Sequence, residues 1–171
     1  PGVEAGMDYD ELEVIITLTV SDAGDGALAF NALYPNDVVF DNTYTASGSW
    51  LPMVTKKLDA GGRQLAAGEF KFNLFKVVGE VETLLQENVN NLADGSIPFA
   101  AINYTQEDIG KTFTYKIVEV PGFEVGMDYD ELEIMITVMV TDLGNGKLSV
   151  VRSYPEDVEF NNTYLASGQW L

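Results

Sequence analysis

An internal repeat at a spacing of 120 residues constrains the fold of this chain more than any other feature. Residues 1–51 align without a gap on residues 121–171, and 31 of the 51 aligned positions are identical. Because this spacing is the length of one small domain, the parent protein is predicted to be a tandem array. Residues 52–171 then form one complete repeat, and residues 1–51 are the C-terminal half of a preceding repeat.

Strand signals dominate within the repeat. Apolar residues alternate with other residues over 132–140, and Gly144-Asn145-Gly146 then offers a hairpin turn. Similar alternation occurs in residues 70–74, 113–117 and 158–164. Residues 106–109 look helical but are long enough only for a single turn between strands. The sequence therefore predicts an all-β, immunoglobulin-like β-sandwich, repeated about every 120 residues.

Composition excludes several classes of function. The chain of 171 residues contains 27 Asp and Glu against 9 Lys and Arg, a net charge of −18 that repels nucleic acid and anionic lipid. No apolar run approaches the roughly 20 residues that cross a bilayer, so no membrane insertion is expected in this segment. Histidine and cysteine are absent, which excludes thiolate nucleophiles, disulfides and zinc sites built on nitrogen or sulfur. We expect no cofactor, no metal and no enzymatic activity on external substrates, and we expect the sequence to be an excerpt.

Three polar residues fall in phase with the apolar residues that are predicted to face the core. They are Lys56, Glu119 and Asn162, in the segments 54–58, 113–119 and 158–164. Burying a lone ammonium or carboxylate is costly, so such groups persist only when they are paired, neutralised or consumed by a reaction.

Lysine, asparagine and glutamate together can react. Desolvation lowers the pKa of a lysine and raises the pKa of a glutamate, so that a neutral amine can face a protonated acid. The Lys56 nitrogen could attack the side-chain amide carbon of Asn162, while Glu119 hydrogen-bonds to the developing oxyanion and relays protons. Ammonia would leave and an isopeptide bond would remain, in a single turnover that modifies only the protein itself.

The frame around these residues resembles the Gram-positive, streptococcal-type pilin isopeptide linkage domain over all of residues 52–171. The shared motifs include Val-Thr-Lys-Lys-Leu, Tyr-Lys-Ile-Val-Glu and Phe-Asn-Asn-Thr-Tyr, which end at residues 58, 119 and 164. The resemblance implies a lysine on the first strand, a glutamate that ends the Tyr-x-Ile-x-Glu motif and an asparagine on the last strand. These positions are Lys56, Glu119 and Asn162.

The resemblance also implies a structural function. The chain would be a stalk or shaft module of a surface adhesin or pilus, outside a Gram-positive cell and anchored to its wall or part of a fimbria. Its partners would be neighbouring repeats or subunits of the same protein, with a host or cell-surface ligand elsewhere in the array. The covalent tie would resist tension and proteolysis.

The first copy helps to choose the asparagine. Asn42 aligns with Asn162, whereas Asp41 replaces Asn161 and has no amide to lose as ammonia. Asn42 is therefore the equivalent reactive residue of the partial repeat.

The partial repeat lacks its own lysine and glutamate strands. We expect residues 1–51 to complete an N-terminal half supplied by another chain or by sequence outside this excerpt. In an alternative arrangement, residues 1–51 pair with 52–120 and Lys56 joins Asn42.

Other interpretations of single residues remain open. Lys56 could keep its ammonium in water, as amphipathic side chains commonly do, which would leave Lys57 as the nucleophile. Trp50 and Trp170 could be a sugar-stacking platform in a carbohydrate- or protein-binding sandwich, although their place at the repeat junction favours packing between neighbouring repeats. Four acidic residues invite a calcium site but are more typical of a solvated strand start: Asp128, Asp130, Glu131 and Glu133.

Overall fold

A computed structural model describes residues 3–168, which divide into two compact units between Thr45 and Ala46. The predicted repeat boundary at residues 51 and 52 lies six residues later, so residues 46–51 belong structurally to the second unit. The assignment of residues 1–51 and 52–171 to successive repeats stays a prediction about the array. No helix in the described part of the chain is long and apolar enough to cross a membrane.

The structure describes four strands in the first unit, arranged as two antiparallel pairs. They are β1 (Met7–Asp8), β2 (Thr17–Asp22), β3 (Leu28–Leu33) and β4 (Thr43–Tyr44). Strand β1 pairs with β4, and β2 pairs with β3 across a tight turn.

The second unit is an all-β sandwich, as the alternation of apolar residues predicts. Its described strands are β5 (Ser47–Trp50), β6 (Thr55–Asp59), β7 (Lys71–Val78), β8 (Val81–Asn90), β9 (Ile102–Thr105), β10 (Thr112–Val120), β11 (Met127–Asp128), β12 (Glu133–Asp142), β13 (Leu148–Ser153) and β14 (Glu159–Tyr164). One sheet has the order β13-β12-β10-β7-β8, a second has the order β11-β14-β6, and β5 pairs with β9. The helix-like segment is a single 3₁₀ turn, Gln106–Asp108.

The core lies between the five-stranded and three-stranded sheets. Every second residue of β12 from Ile134 to Val140 is fully buried, and the rings of Phe72 on β7 and Phe160 on β14 lie 5.0 Å apart between centroids. Because a strand points successive side chains to opposite faces, this period-2 burial follows directly from the sequence.

Strands β6 and β14 lie side by side in parallel, although about one hundred residues separate them in the chain. Phe160 is opposite Lys56, and Asn162 is opposite Leu58. Since residues two apart on a strand share a face, Lys56 and Asn162 both point into the core as diagonal neighbours.

Strand β5 adds a residue to this core that the sequence assigns to the end of the first repeat. Trp50 is buried against the ring of Tyr115, and its indole nitrogen donates a hydrogen bond of 2.9 Å to the hydroxyl of Tyr154. This burial excludes Trp50 as an exposed platform for sugar stacking. The aligned Trp170 lies outside the described residues.

Candidate functional site

The interior of the second unit contains the three predicted residues in direct contact. The Lys56 Nζ donates a hydrogen bond of 2.7 Å to Glu119 Oε2, and the Asn162 Nδ2 donates one of 2.6 Å to Glu119 Oε1. The side chains of Lys56 and Glu119 are both 0% exposed, and Asn162 is also buried. One carboxyl group therefore bridges the amine and the carboxamide in a site without solvent access.

The two sheets hold these residues from opposite sides. Strands β6 and β14 of the three-stranded sheet present Lys56 and Asn162, while β10 of the five-stranded sheet presents Glu119. Strand β10 is central, paired along both edges with β7 and β12, and Glu119 is opposite Phe72 in this ladder. Hydrogen bonds on both edges fix the register of β10 and thereby the position of the carboxyl group.

Aromatic side chains exclude water from the site. The Lys56 Nζ lies 4.5 Å from the centroid of the Phe70 ring, and Phe72 packs on Phe160 beside it. Such walls lower the local dielectric constant and strengthen each polar interaction inside.

Burial shifts both ionisable groups towards their neutral forms. Desolvation lowers the pKa of Lys56, although the hydrogen bond and the charge of Glu119 oppose this shift. Desolvation likewise raises the pKa of Glu119, against the hydrogen bonds from Lys56 and Asn162. Both pKa shifts therefore run in the direction of a neutral amine and a protonated acid.

The carbonyl oxygen of Asn162 has its own hydrogen-bond donor. The backbone N–H of Asp130 donates to Asn162 Oδ1 at 2.8 Å. The Asp130 carboxylate in turn accepts from the backbone N–H groups of Asn161, at 2.6 Å, and Leu132, at 2.8 Å. This clamp points the Asp130 N–H at the atom on which negative charge would develop during attack on the amide carbon.

The first unit repeats this clamp around Asn42. Asn42 Oδ1 accepts from the backbone N–H of Asp10 at 3.0 Å, and the Asp10 carboxylate accepts from the N–H groups of Asp41 and Leu12. Unlike Asn162, Asn42 is exposed. Strand parity does not reveal this role of Asp10 and Asp130, yet a signal exists, because both lie in the recurring Gly-Met-Asp-Tyr-Asp-Glu-Leu-Glu motif.

The structure places the alternative reactive residues on the outer face. Lys57 and Asn161 are both exposed, and Asn161 Nδ2 donates to the backbone carbonyl of Glu159. Neither side chain faces Glu119.

Two of the four acidic residues at or before the start of β12 have protein partners. The Asp130 carboxylate binds the two backbone amides described above, and Glu133 pairs with Lys116 at 3.3 Å. Among the described residues, no group of three or more acidic side chains is placed to hold a metal ion.

Two further residues that the sequence pattern did not single out support the site. The buried Asn91 accepts from the backbone N–H of Phe70 at 2.8 Å and so holds the ring that covers Lys56. Gly95 accepts from the backbone N–H of Lys56 at 2.7 Å and has a φ of +87°. No sequence signal distinguishes Asn91 from the neighbouring asparagines, whereas the Asp-Gly pair at residues 94–95 is a recognisable turn signal.

Comparison with protein-family models matches residues 2–45 and 52–165 to the family described as Spy0128-like isopeptide containing domain, FctA. Comparison with curated proteins finds no match. The two matched ranges together cover most of the chain. The chain therefore belongs to the FctA family of Spy0128-like isopeptide containing domains.

Proposed function

We propose that this chain is a shaft module of a Gram-positive surface pilus or adhesin, stabilised by an isopeptide bond that forms spontaneously between Lys56 and Asn162. Family membership supports the pilin-type structural function. The observation on which the bond assignment rests is the Glu119 carboxyl group, which contacts the Lys56 amine through one oxygen and the Asn162 amide through the other.

The contacts suggest a route for each proton. The neutral Lys56 Nζ attacks Cγ of Asn162, and the electron pair of the carbonyl moves to Oδ1, beside the Asp130 N–H. Glu119 accepts a proton from Nζ at Oε2 and delivers its own from Oε1 to Nδ2. The Cγ–Nδ2 bond then breaks and ammonia leaves, so that one amide replaces another without any redox change.

Proximity of the reacting groups accounts for much of the rate acceleration in this scheme. The groups are held within hydrogen-bond distance of one carboxyl group, which converts a slow amide exchange into an intramolecular reaction of high effective molarity. The reaction occurs once per molecule, and the protein does not act on other substrates.

The proposed bond suits a module that bears load. It joins the first strand of the complete repeat, β6, to the last, β14, and closes a loop of roughly one hundred residues. By the chain-entropy model, a crosslink that closes such a loop stabilises the folded state by about 4.7 kcal/mol. Neighbouring repeats or subunits at the cell surface are the proposed partners.

Substitutions at the three residues test this function. Lys56→Met, Glu119→Gln and Asn162→Ala are expected to give folded β-proteins that keep the full mass of the sequence and melt at lower temperature. The neighbouring substitutions Lys57→Met and Asn161→Ala serve as matched controls, because these side chains face outward, and they are expected to leave crosslinking intact. Intact mass reports crosslinking, circular dichroism reports folding, and thermal unfolding gives the melting temperature. Normal crosslinking in Glu119→Gln or Asn162→Ala would refute the assignment.

A further inference from the structure

Two aromatic rings in contact lead from the buried amine towards the protein surface. The Lys56 Nζ lies 4.5 Å from the centroid of the Phe70 ring, and the Tyr129 ring meets Phe70 edge-on, with 6.1 Å between the two centroids. Phe70 is buried, whereas Tyr129 is only partly buried. We call these two rings the aromatic cover, since they shield this side of the amine from water.

A different loop holds each ring of the aromatic cover. Phe70 is the last residue of the loop between β6 and β7, and Glu69 immediately precedes it. Tyr129 follows β11, and its hydroxyl accepts a hydrogen bond of 3.2 Å from the backbone N–H of Glu124 in the loop between β10 and β11. The contact between the rings therefore depends on how these two loops are placed relative to each other.

The side chain of Arg63 joins the two loops. Its Nη1 and Nη2 donate to the two carboxylate oxygens of Glu124, at 2.7 Å and 3.3 Å, and Nη2 also donates to Oε1 of Glu69. The guanidinium carbon lies 4.7 Å from the centroid of the Tyr164 ring, on the strand that carries Asn162. One side chain thus contacts residues that hold both rings of the cover and the strand of the reactive asparagine.

The exposure of these contacts indicates a role in geometry more than in stability. The side chains of Arg63 and Glu124 are 35% and 41% exposed, and ion pairs between side chains as exposed as these contribute little to the stability of a protein. A guanidinium that binds both oxygens of one carboxylate does fix the orientation of its partner, because the donors form a rigid planar fork. Arg63 is therefore suited to setting the position of the two loops.

We propose that Arg63 is a positioning residue for the isopeptide reaction and that it holds the aromatic cover closed over the Lys56 amine. This inference rests on the isopeptide chemistry proposed above. The reacting forms are a neutral amine and a protonated acid, and water that enters the site would favour the charged pair instead. Because a change of one unit in either pKa lowers the population of the neutral pair about 10-fold, loss of Arg63 should slow crosslinking by about that factor or more.

The first measurement is the rate at which the full chain loses about 17 Da, the mass of ammonia, during refolding. Arg63→Gln is expected to keep the β-structure seen by circular dichroism and to crosslink at least about 10-fold more slowly than the natural sequence. Lys116→Gln is the matched control, because Lys116 also contacts two carboxylates and lies over an aromatic ring, but on the outer face of β10. An equal decrease of the rate in both variants would overturn the inference.

A second variant disturbs the aromatic cover without changing any charge. A Cβ added at Gly122 would clash with the hydroxyl of Tyr129, so Gly122→Ala should displace this ring and slow crosslinking as Arg63→Gln does. Gly168→Ala is its control, since nothing lies within 4 Å of the added atom, and it is expected to leave the rate unchanged.

Chemical labelling measures the cover independently of the isopeptide reaction. In Asn162→Ala the Lys56 amine stays free, and acetylation by an N-hydroxysuccinimide ester reports how often the reagent reaches it. Peptide mapping compares Lys56 with the exposed Lys57 as an internal reference. In this background, Arg63→Gln and Gly122→Ala are expected to increase the labelling of Lys56 relative to Lys57, whereas Lys116→Gln should leave this ratio unchanged.

The outcomes separate this inference from the proposed function. A lower melting temperature in Arg63→Gln, with unchanged crosslinking rate and unchanged Lys56 labelling, would overturn the inference, because Arg63 would then only stabilise the fold. Slower crosslinking in Arg63→Gln that Gly122→Ala does not share would also overturn it, since the effect would belong to the charge of Arg63. Increased labelling in both variants, without loss of ammonia from the natural sequence, would support the cover and overturn the proposed bond.

Discussion

At the scale of single residues, the site depends on the removal of water from three polar groups. Burial opposes charge on Lys56 and Glu119 and outweighs the hydrogen bond between them, which favours the charged forms. An exposed lysine beside an asparagine would stay protonated at neutral pH and would not attack an amide. The reactivity therefore belongs to the environment more than to the residue types.

The raised pKa of Glu119 predicts a dependence of stability on pH. The variant Lys56→Met cannot react, and the pKa of Glu119 lies above its ordinary value of 4.5 in the folded protein. The free energy of unfolding is therefore highest below pH 4.5, where Glu119 is protonated, and it falls as the pH rises through the raised pKa. The double variant Lys56→Met/Glu119→Gln lacks this titration. Urea unfolding from pH 4 to pH 7 should show the double variant gaining on the single variant by up to about 1.36 kcal/mol per pH unit. Parallel profiles would contradict the raised pKa.

Asp130 is predicted to position the donor for the oxyanion. Asp130→Ala removes the hydrogen bonds that the carboxylate accepts from the N–H groups of Asn161 and Leu132. The backbone N–H of residue 130 is then no longer held in position to donate to Asn162 Oδ1. Because one oxyanion donor is worth roughly 100-fold to 1,000-fold in rate, misplacing it should slow crosslinking roughly 10-fold to 100-fold. The time course of mass loss during refolding measures this rate. Asp10→Ala, the equivalent change in the first unit, should leave the rate unchanged.

At the scale of strands and loops, the features that sequence predicts well are those with a local signal. The alternation in β12 reports burial directly, and strand parity alone is enough to place Lys56, Glu119 and Asn162 inside the sandwich, where all three are buried. The repeat alignment places strand β5 at the end of the first copy, and the pairing of β5 with the distant β9 leaves no mark in its own sequence.

For a similar reason, the sequence does not predict which loop residues support the site. Asn91 is one of several asparagines in a polar segment, and only its contact with Phe70, 21 positions earlier, makes it structural. The clamp by Asp130 likewise depends on a strand that lies about 30 positions away. Hydrogen bonds of this kind follow from the tertiary fold and not from local pattern.

Gly95 gives a prediction at this scale. An added Cβ at Gly95 would clash with the backbone oxygen of Lys56, so Gly95→Ala should displace β6 and with it the reactive amine. We expect slower crosslinking and a loss of more than about 1 kcal/mol of stability, beyond the cost of a left-handed backbone alone. Gly79→Ala is the matched control, since Gly79 also has a positive φ but nothing within 4 Å of the added atom. Equal effects of the two substitutions on the crosslinking rate would contradict the steric explanation.

At the scale of the whole molecule, the proposed bond changes how the chain responds to force. Tension that enters near β6 and leaves after β14 passes through the covalent bond and bypasses the strands between them. The residues between Lys56 and Asn162 then stay folded or unextended while the module is pulled.

Single-molecule stretching should show this directly. The roughly one hundred residues inside the loop would add about 350 Å of contour length if they were free to extend. We expect this extension in Asn162→Ala and not in the natural sequence. An equal extension in both proteins would show that the loop is not closed.

The mass of the intact, denatured chain is the most direct test of the proposed crosslink. We predict a mass about 17 Da below that of the sequence, from one lost ammonia, with the loss located in a branched peptide that contains Lys56 and Asn162. Correctly folded protein with the full mass of its sequence would contradict the crosslink.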